Sequence, residues 1–134
     1  MIVDITLIAP IRKEPEMAKM VVFCGSDDPQ KAFPPFMLGA GALALDLELL
    51  MFFTMDGLNL VRKGGAAKIE LAGSAKTLPE FVQLVIDGGA EMLACSAAFP
   101  IVNCNEADII DGVECSGIAT FLDEAENADI VLTF

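Results

Sequence analysis

Histidine, tyrosine and tryptophan are absent from this 134-residue chain. Without histidine there is no Ser-His-Asp triad, no imidazole general base and no histidine ligand for a metal. Thiols and hydroxyls are the nucleophiles that remain. Basic residues are scarce as well: eight Lys and Arg stand against twenty Asp and Glu, a net charge of −12. All eight lie at or before Lys76, whereas eleven of the twenty acids follow it. Such a chain cannot hold a nucleic-acid backbone by counterion release, and an anionic membrane repels it. Neither nucleic-acid binding nor membrane insertion is expected. Long hydrophobic runs are missing too: Phe33–Leu45 holds two prolines and stops at Asp46, short of the ~20 residues a spanning helix needs. Asp4 interrupts the first apolar stretch and no small-residue cleavage site follows, so no signal peptide is read and the expected location is the cytoplasm.

The four cysteines, at 24, 95, 104 and 115, form no C-x2-C pair, which speaks against a zinc ribbon or a thioredoxin-type redox motif. A reducing compartment also disfavours structural disulfides. Gly39-x-Gly41 lies inside an apolar segment rather than at a strand-to-helix turn, so it is no dinucleotide fingerprint. The seven methionines read as packing material, and Asp123, Glu124 and Glu126 as a solvated helix face. No cofactor or metal is expected.

What is present is a chain 54% hydrophobic and long enough to bury one core. Residues 1–18 read as an amino-terminal arm or added edge strand, with Pro10 and Pro15 against one continuous helix, and 19–134 as a single domain. Met20–Cys24 is a buried strand ended by Gly25-Ser26-Asp27-Asp28-Pro29. Asp28 and Pro29 suit a helix start, but Pro34-Pro35 is expected to break any helix begun there, leaving Phe36–Leu45 as the helix. Leu47–Met55 is a second strand. Gly57–Lys76 has no clear period and is expected to be a long loop of the kind that forms lids and binding loops. Thr77 and Glu80 have capping-box spacing ahead of a helix over Phe81–Asp87, closed by Gly88-Gly89. Glu91–Cys95 is strand three, Asn103 or Asn105 caps a short helix through Ile110, Val113–Cys115 is a strand, Ile118–Glu126 a helix and Ile130–Phe134 the last strand. Strands alternating with helices at short spacing predict an α/β fold, a parallel sheet of about five strands covered on both faces.

The chemistry is sought where that sheet ends. In an α/β protein, ligands are met at the carboxyl ends of the strands. Cys95 ends the third strand and opens the small-residue turn Ser96-Ala97-Ala98, where backbone amides can favour a thiolate. A free thiol with a pKa near 8.5 is only about 3% ionised at pH 7, so such help matters. Cys104, nine positions on, is followed by Glu106, Asp108 and Asp111, whose charge disfavours a thiolate. Cys95 is therefore the expected nucleophile and Cys104 the secondary thiol, a candidate to resolve an oxidised Cys95 if the turn brings the pair together. Cys24 and Cys115 read as core positions, although Cys24 ends the first strand and is a further candidate for the same edge.

The run Met51-Phe52-Phe53-Thr54-Met55-Asp56-Gly57-Leu58-Asn59-Leu60-Val61-Arg62-Lys63 closely resembles a "FFTFxGLxLLxK" segment of the DsrE/DsrF-like proteins. The cysteine ending the third strand resembles the same family. So does the closing pattern Ile110-Asp111-Gly112-Val113-Glu114, Gly117, and Ala128-Asp129-Ile130-Val131-Leu132-Thr133-Phe134. The resemblance covers roughly Met20–Phe134. It implies a three-layer α/β/α sandwich of flavodoxin-like appearance, homo-oligomers that are trimers or hexamers, and a role in cytoplasmic sulfur trafficking. The strand-end cysteine, Cys95 here, would carry sulfane sulfur as a persulfide or thiosulfonate and exchange it with TusA-like or rhodanese-like partners. For an anionic donor such as thiosulfate, Arg62 and Lys63 are the first candidates to supply charge and Lys31 the second, with Ser96 lining the same substrate site. The alternatives are a non-catalytic interaction subunit of a sulfur-relay complex, and a thiol redox protein using Cys95 and Cys104.

Overall fold

A computed structural model describes residues 18–134. The arm expected over 1–18 lies, but for Ala18, outside the described residues. Five strands, β1 (Lys19–Cys24), β2 (Glu48–Phe53), β3 (Glu91–Cys95), β4 (Val113–Ser116) and β5 (Ile130–Thr133), form one parallel sheet in the order β4-β3-β2-β1-β5. The helices are α1 (Pro29–Ala44), α2 (Leu78–Asp87) and α3 (Ile118–Glu126). Short apolar runs buried on both faces are what a parallel sheet demands. Leu49 to Phe53 of β2, the central strand, are accordingly all buried.

Strand register assigns every side chain to a face, because neighbours in a ladder share a face and successive residues alternate. Phe36 of α1 stacks on Phe53 with ring centroids 6.0 Å apart. Residues in register with Phe53, namely Cys24, Ala94 and Cys115, thus belong to the α1 face. Phe121 of α3 meets Phe23 at 5.3 Å and Phe52 at 5.1 Å on the opposite face. α2 lies beside α1, where a Cβ on Gly39 would stand 3.0 Å from Leu49 and 3.6 Å from Val85. The three layers are α1 and α2, the sheet, and α3. Fully burying each of the phenylalanines at 33, 36, 52 and 53 contributes roughly 1.5–3 kcal/mol.

Two sequence expectations are corrected. α1 starts at Pro29, not Phe36, and runs through Pro34 and Pro35. The two prolines remove donors that would reach the carbonyls of Gln30 and Lys31, both in the first turn and on exposed residues. Water can serve those carbonyls, so the loss is small. Burial of Ala32, Phe33 and Phe36 on the same helix outweighs it.

The segment after β2 is not an open loop at its start. Met55–Leu60 winds into a 3-10 helix, and Leu58, Leu60 and Val61 are buried. Gly57 makes this approach possible: a Cβ there would lie 2.1 Å from the Cys24 carbonyl oxygen. A second 3-10 turn follows at Ala66–Lys68.

α2 carries the capping box that its sequence spacing predicts. Glu80 donates its backbone N–H to Thr77 Oγ1 at 3.3 Å, and Thr77 donates its own to Glu80 Oε1 at 2.7 Å. The Thr77 N–H bond first, and then the Thr77 side chain, hold the Glu80 carboxyl below its usual pKa. Gly89, with φ of +94°, turns the chain out of the helix toward β3.

Candidate functional site

β3 delivers Cys95 to the carboxyl edge of the sheet, in register with Ser116 of β4. A 3-10 turn, Ser96–Ala98, begins at the next residue. Ser96 Oγ donates to the Ser116 carbonyl at 3.3 Å, tying that turn to β4. Cys95 lies on the α3 face of the sheet by alternation from Ala94 and is 4% exposed. Cys24 ends β1 on the opposite face and is 1% exposed. β2 separates the two strands, so the same edge carries both thiols without facing them toward each other. Burial pushes the Cys24 thiol far above its ordinary pKa, which keeps it neutral and suits a core role.

The chain from Ser96 to Asn105 leaves this edge in a series of tight turns. Val102 bonds back to the Ala98 carbonyl at 3.2 Å and Cys104 to the Phe99 carbonyl at 2.9 Å. Between them Asn103 takes a left-handed conformation, φ +53°, which asparagine tolerates better than most residues. Cys104 is 5% exposed, with its Sγ 3.6 Å from the Asn105 carbonyl. All four cysteines are free.

Cys115, on β4, is partly exposed and its thiol is raised: by burial first, then by the charge and hydrogen bond of Glu106, then by Cys104. The acidic stretch after Cys104 therefore reaches Cys115, a link that spacing along the chain does not show. Cys104 and Cys115 are neighbours in space, eleven positions apart in sequence.

The expected cations gather at a different place. Arg62 and Lys63 line a cavity of about 610 Å3 with Asp27, Asp28, Asn59 and Lys68. No cysteine lines it, and neither do Ser96 and Lys31; Lys31 is exposed in the first turn of α1. Arg62 has a second engagement. Its guanidinium donates to the Val102 carbonyl at 3.3 Å, the Asn103 carbonyl at 2.6 Å and Asn59 Oδ1 at 3.0 Å. Asn59 in turn donates to Asp27 Oδ2 at 2.9 Å. A backbone bridge between Arg62 and Ile109, with Lys63 N–H on the Asp108 carbonyl at 2.7 Å, fixes the base of this buckle.

Arg62 thus holds the segment between Cys95 and Cys104 against the 3-10 helix, and Asn59 is the link that sequence reasoning missed. A polar residue inside an apolar run was the available signal. Its two partners, 32 positions back and three ahead, were not visible in it. Among the described residues no three His, Cys, Asp or Glu side chains converge where they could hold a metal ion.

Residues 17–134 match the DsrE/DsrF-like family. The chain belongs to that family. It is similar to the Bacillus subtilis protein YrkE, at 23% identity over 84% of this chain and 93% of YrkE. It is also similar to the sulfur carrier protein DsrE2 of Allochromatium vinosum, at 24% identity over 87% of this chain and 98% of the relative. The crystal structure of the ychN protein from E. coli superposes with a TM-score of 0.72 at 20% identity, covering 88% of this chain and all of ychN, which establishes a shared fold. No helix among the described residues is long and apolar enough to cross a membrane.

Proposed function

We propose that this DsrE/DsrF-like chain works in sulfur relay as a carrier, holding sulfane sulfur on Cys95 and passing it to a partner thiol. The observation that carries this reading is the place of Cys95 at the carboxyl end of β3, where a turn of small residues begins at once. The named function of the similar DsrE2 protein supports it. In the loading step the Cys95 thiolate attacks the outer sulfur of thiosulfate. The S–S bond of the donor breaks, sulfite leaves with the electron pair, and a Cys95 persulfide remains. With tetrathionate the same attack expels thiosulfate and leaves a thiosulfonate on Cys95. In the unloading step a partner thiolate attacks the outer sulfur and Cys95 departs as a thiolate. TusA-like or rhodanese-like proteins are the proposed partners, a trimer or hexamer the proposed assembly, and the cytoplasm the proposed setting.

At 4% exposure Cys95 needs a local opening before a donor can reach it, and the segment that follows it, fastened by Arg62 at Val102 and Asn103, is the proposed part to move. That same burial favours, as a second reading, a non-catalytic interaction subunit. Exposed Met55, Ile101, Ile118 and Leu122 offer apolar contact area for it. A Cys95–Cys104 redox pair is the third reading, both thiols being buried and free.

Intact-mass spectrometry separates the readings. After incubation with thiosulfate, tetrathionate or a persulfide donor, the native chain should gain one or more sulfur atoms or a thiosulfonate group. Cys95→Ser should abolish the gain and Cys104→Ser should keep it. No adduct, with the donors proven on a control thiol, would transfer support to the interaction subunit; a loss of two hydrogens needing both cysteines would indicate the redox pair.

A further inference from the structure

The cavity of about 610 Å3 above the ends of β1 and β2 is not used by the thiol chemistry, since no cysteine lines it. Its volume falls in the range of small-molecule sites, and it is open to solvent on one side. The described chain has six basic residues, Lys19, Lys31, Arg62, Lys63, Lys68 and Lys76, and three of them line this one cavity. Their states differ. Arg62 is spent on Val102, Asn103 and Asn59. Lys63 and Lys68 make no side-chain hydrogen bond or ion pair with any described residue, whereas Lys19 pairs with Glu124.

Lys63 and Lys68 line the cavity from one short stretch of chain. Gly65 donates to the Arg62 carbonyl at 2.8 Å and Lys68 to the Gly65 carbonyl at 3.1 Å, two consecutive turns that keep the stretch from Arg62 to Lys68 compact. Gly65 is pressed against Asn59 so closely that a Cβ would lie 2.1 Å from the Asn59 carbonyl oxygen. Asp27 and Asp28 line the same cavity. Asn59 already occupies one oxygen of Asp27, and the Gln30 N–H one oxygen of Asp28 at 3.0 Å. Each carboxylate keeps accepting capacity for hydroxyl donors.

We propose that this cavity binds a small phosphate ester bearing hydroxyl groups. Lys63 and Lys68 take the phosphate dianion, and Asp27 and Asp28 accept from the hydroxyls. Two unpaired cations in a recess select a dianion on a molecule whose net charge of −12 repels anions elsewhere. The volume and the lining carboxylates select an ester with a polar body over a bare oxyanion. The site is independent of whether Cys95 carries sulfur.

Isothermal calorimetry with ribose 5-phosphate, inorganic phosphate and thiosulfate tests it. Ribose 5-phosphate should bind the native chain and Cys95→Ser equally and more tightly than either inorganic ion. Lys63→Gln with Lys68→Gln, both on exposed side chains and checked by thermal melting, should weaken it at least about tenfold, as loss of hydrogen bonds to charged groups does. Absence of ester binding, equal binding by the double variant, or thiosulfate as the tightest ligand would each overturn the assignment, as would loss of binding in Cys95→Ser.

Discussion

The guanidinium of Arg62 and the backbone carbonyl of Asn103, 41 positions apart, are joined at 2.6 Å. Asn103 is left-handed and immediately precedes Cys104, so this contact sets how the chain between the two edge thiols lies on the sheet. Hydrogen bonds from a charged donor contribute about 1.5–3 kcal/mol each, and a fork that makes several is not replaced by a point charge. Arg62→Ala should therefore lower stability by roughly 2–4 kcal/mol in urea unfolding and speed alkylation of Cys95 and Cys104. Arg62→Lys should recover less than half of both effects. Native alkylation rates in a folded Arg62→Ala chain would show that the segment opens without regard to the buckle.

Gly57 and the Cys24 carbonyl make a close backbone approach beneath the edge. A Cβ at Gly57 would come within 2.1 Å of the oxygen and 2.7 Å of the carbonyl carbon, and neither atom can rotate away. Gly57→Ala must displace β1 or the 3-10 helix and should cost about 3 kcal/mol or more. Gly41→Ala is the control, because nothing lies within 4 Å of its added Cβ, and it should be neutral or stabilising. Similar urea midpoints for the two variants would contradict this account.

The elements with a local signature were legible in the sequence. Glu91–Cys95 and Ile118–Glu126 end at the residues their turn chemistry indicates, and Thr77 and Glu80 form the box their spacing predicts. The start of α1 was hidden because Pro34 and Pro35 argue locally for a break, while the burial that overrides them comes from Phe53 of another strand. The 3-10 helix after β2 was hidden for a related reason: Gly57 reads as a turn signal, yet its role is to admit the Cys24 carbonyl. Placement of the cations was the least legible feature. Charge asymmetry located Arg62 and Lys63 in the chain, but only the fold shows that they line a cavity with Asp27 and Lys68 that no cysteine lines.

Thr77 and Glu80 tie part of the acid sensitivity of α2 to one box. Glu80 titrates lower in the fold than when unfolded, chiefly through the Thr77 backbone bond and then the Thr77 side chain. A depressed carboxyl stabilises the fold above its unfolded pKa near 4.3, and that contribution is lost as pH falls through the folded value. Thr77→Ala should cost about 1 kcal/mol at pH 7, as cap removals do, and less at acid pH as Glu80 takes up its proton. Urea midpoints followed from pH 7 downward measure the difference. An unchanged cost would place the box outside the acid response.

Cys24 should make the fold sensitive to alkali. Its thiol is held neutral by burial, so its folded pKa lies far above that of the unfolded chain, near 8.5. A group raised in this way contributes stability that is fully present below the unfolded pKa. As pH rises past that value the unfolded state releases the proton while the native state keeps it, and the balance moves toward unfolding. For a thiol that stays protonated in the fold, the loss by pH 10 amounts to roughly 2 kcal/mol. The other three thiols titrate in the unfolded chain as well, so the comparison must be between slopes. Cys24→Ala lowers stability by its lost packing at every pH but removes this one proton. Its urea midpoint should therefore fall less steeply than the native one between pH 8 and pH 10. Parallel slopes would mean that Cys24 ionises inside the fold, which its 1% exposure beneath α1 opposes.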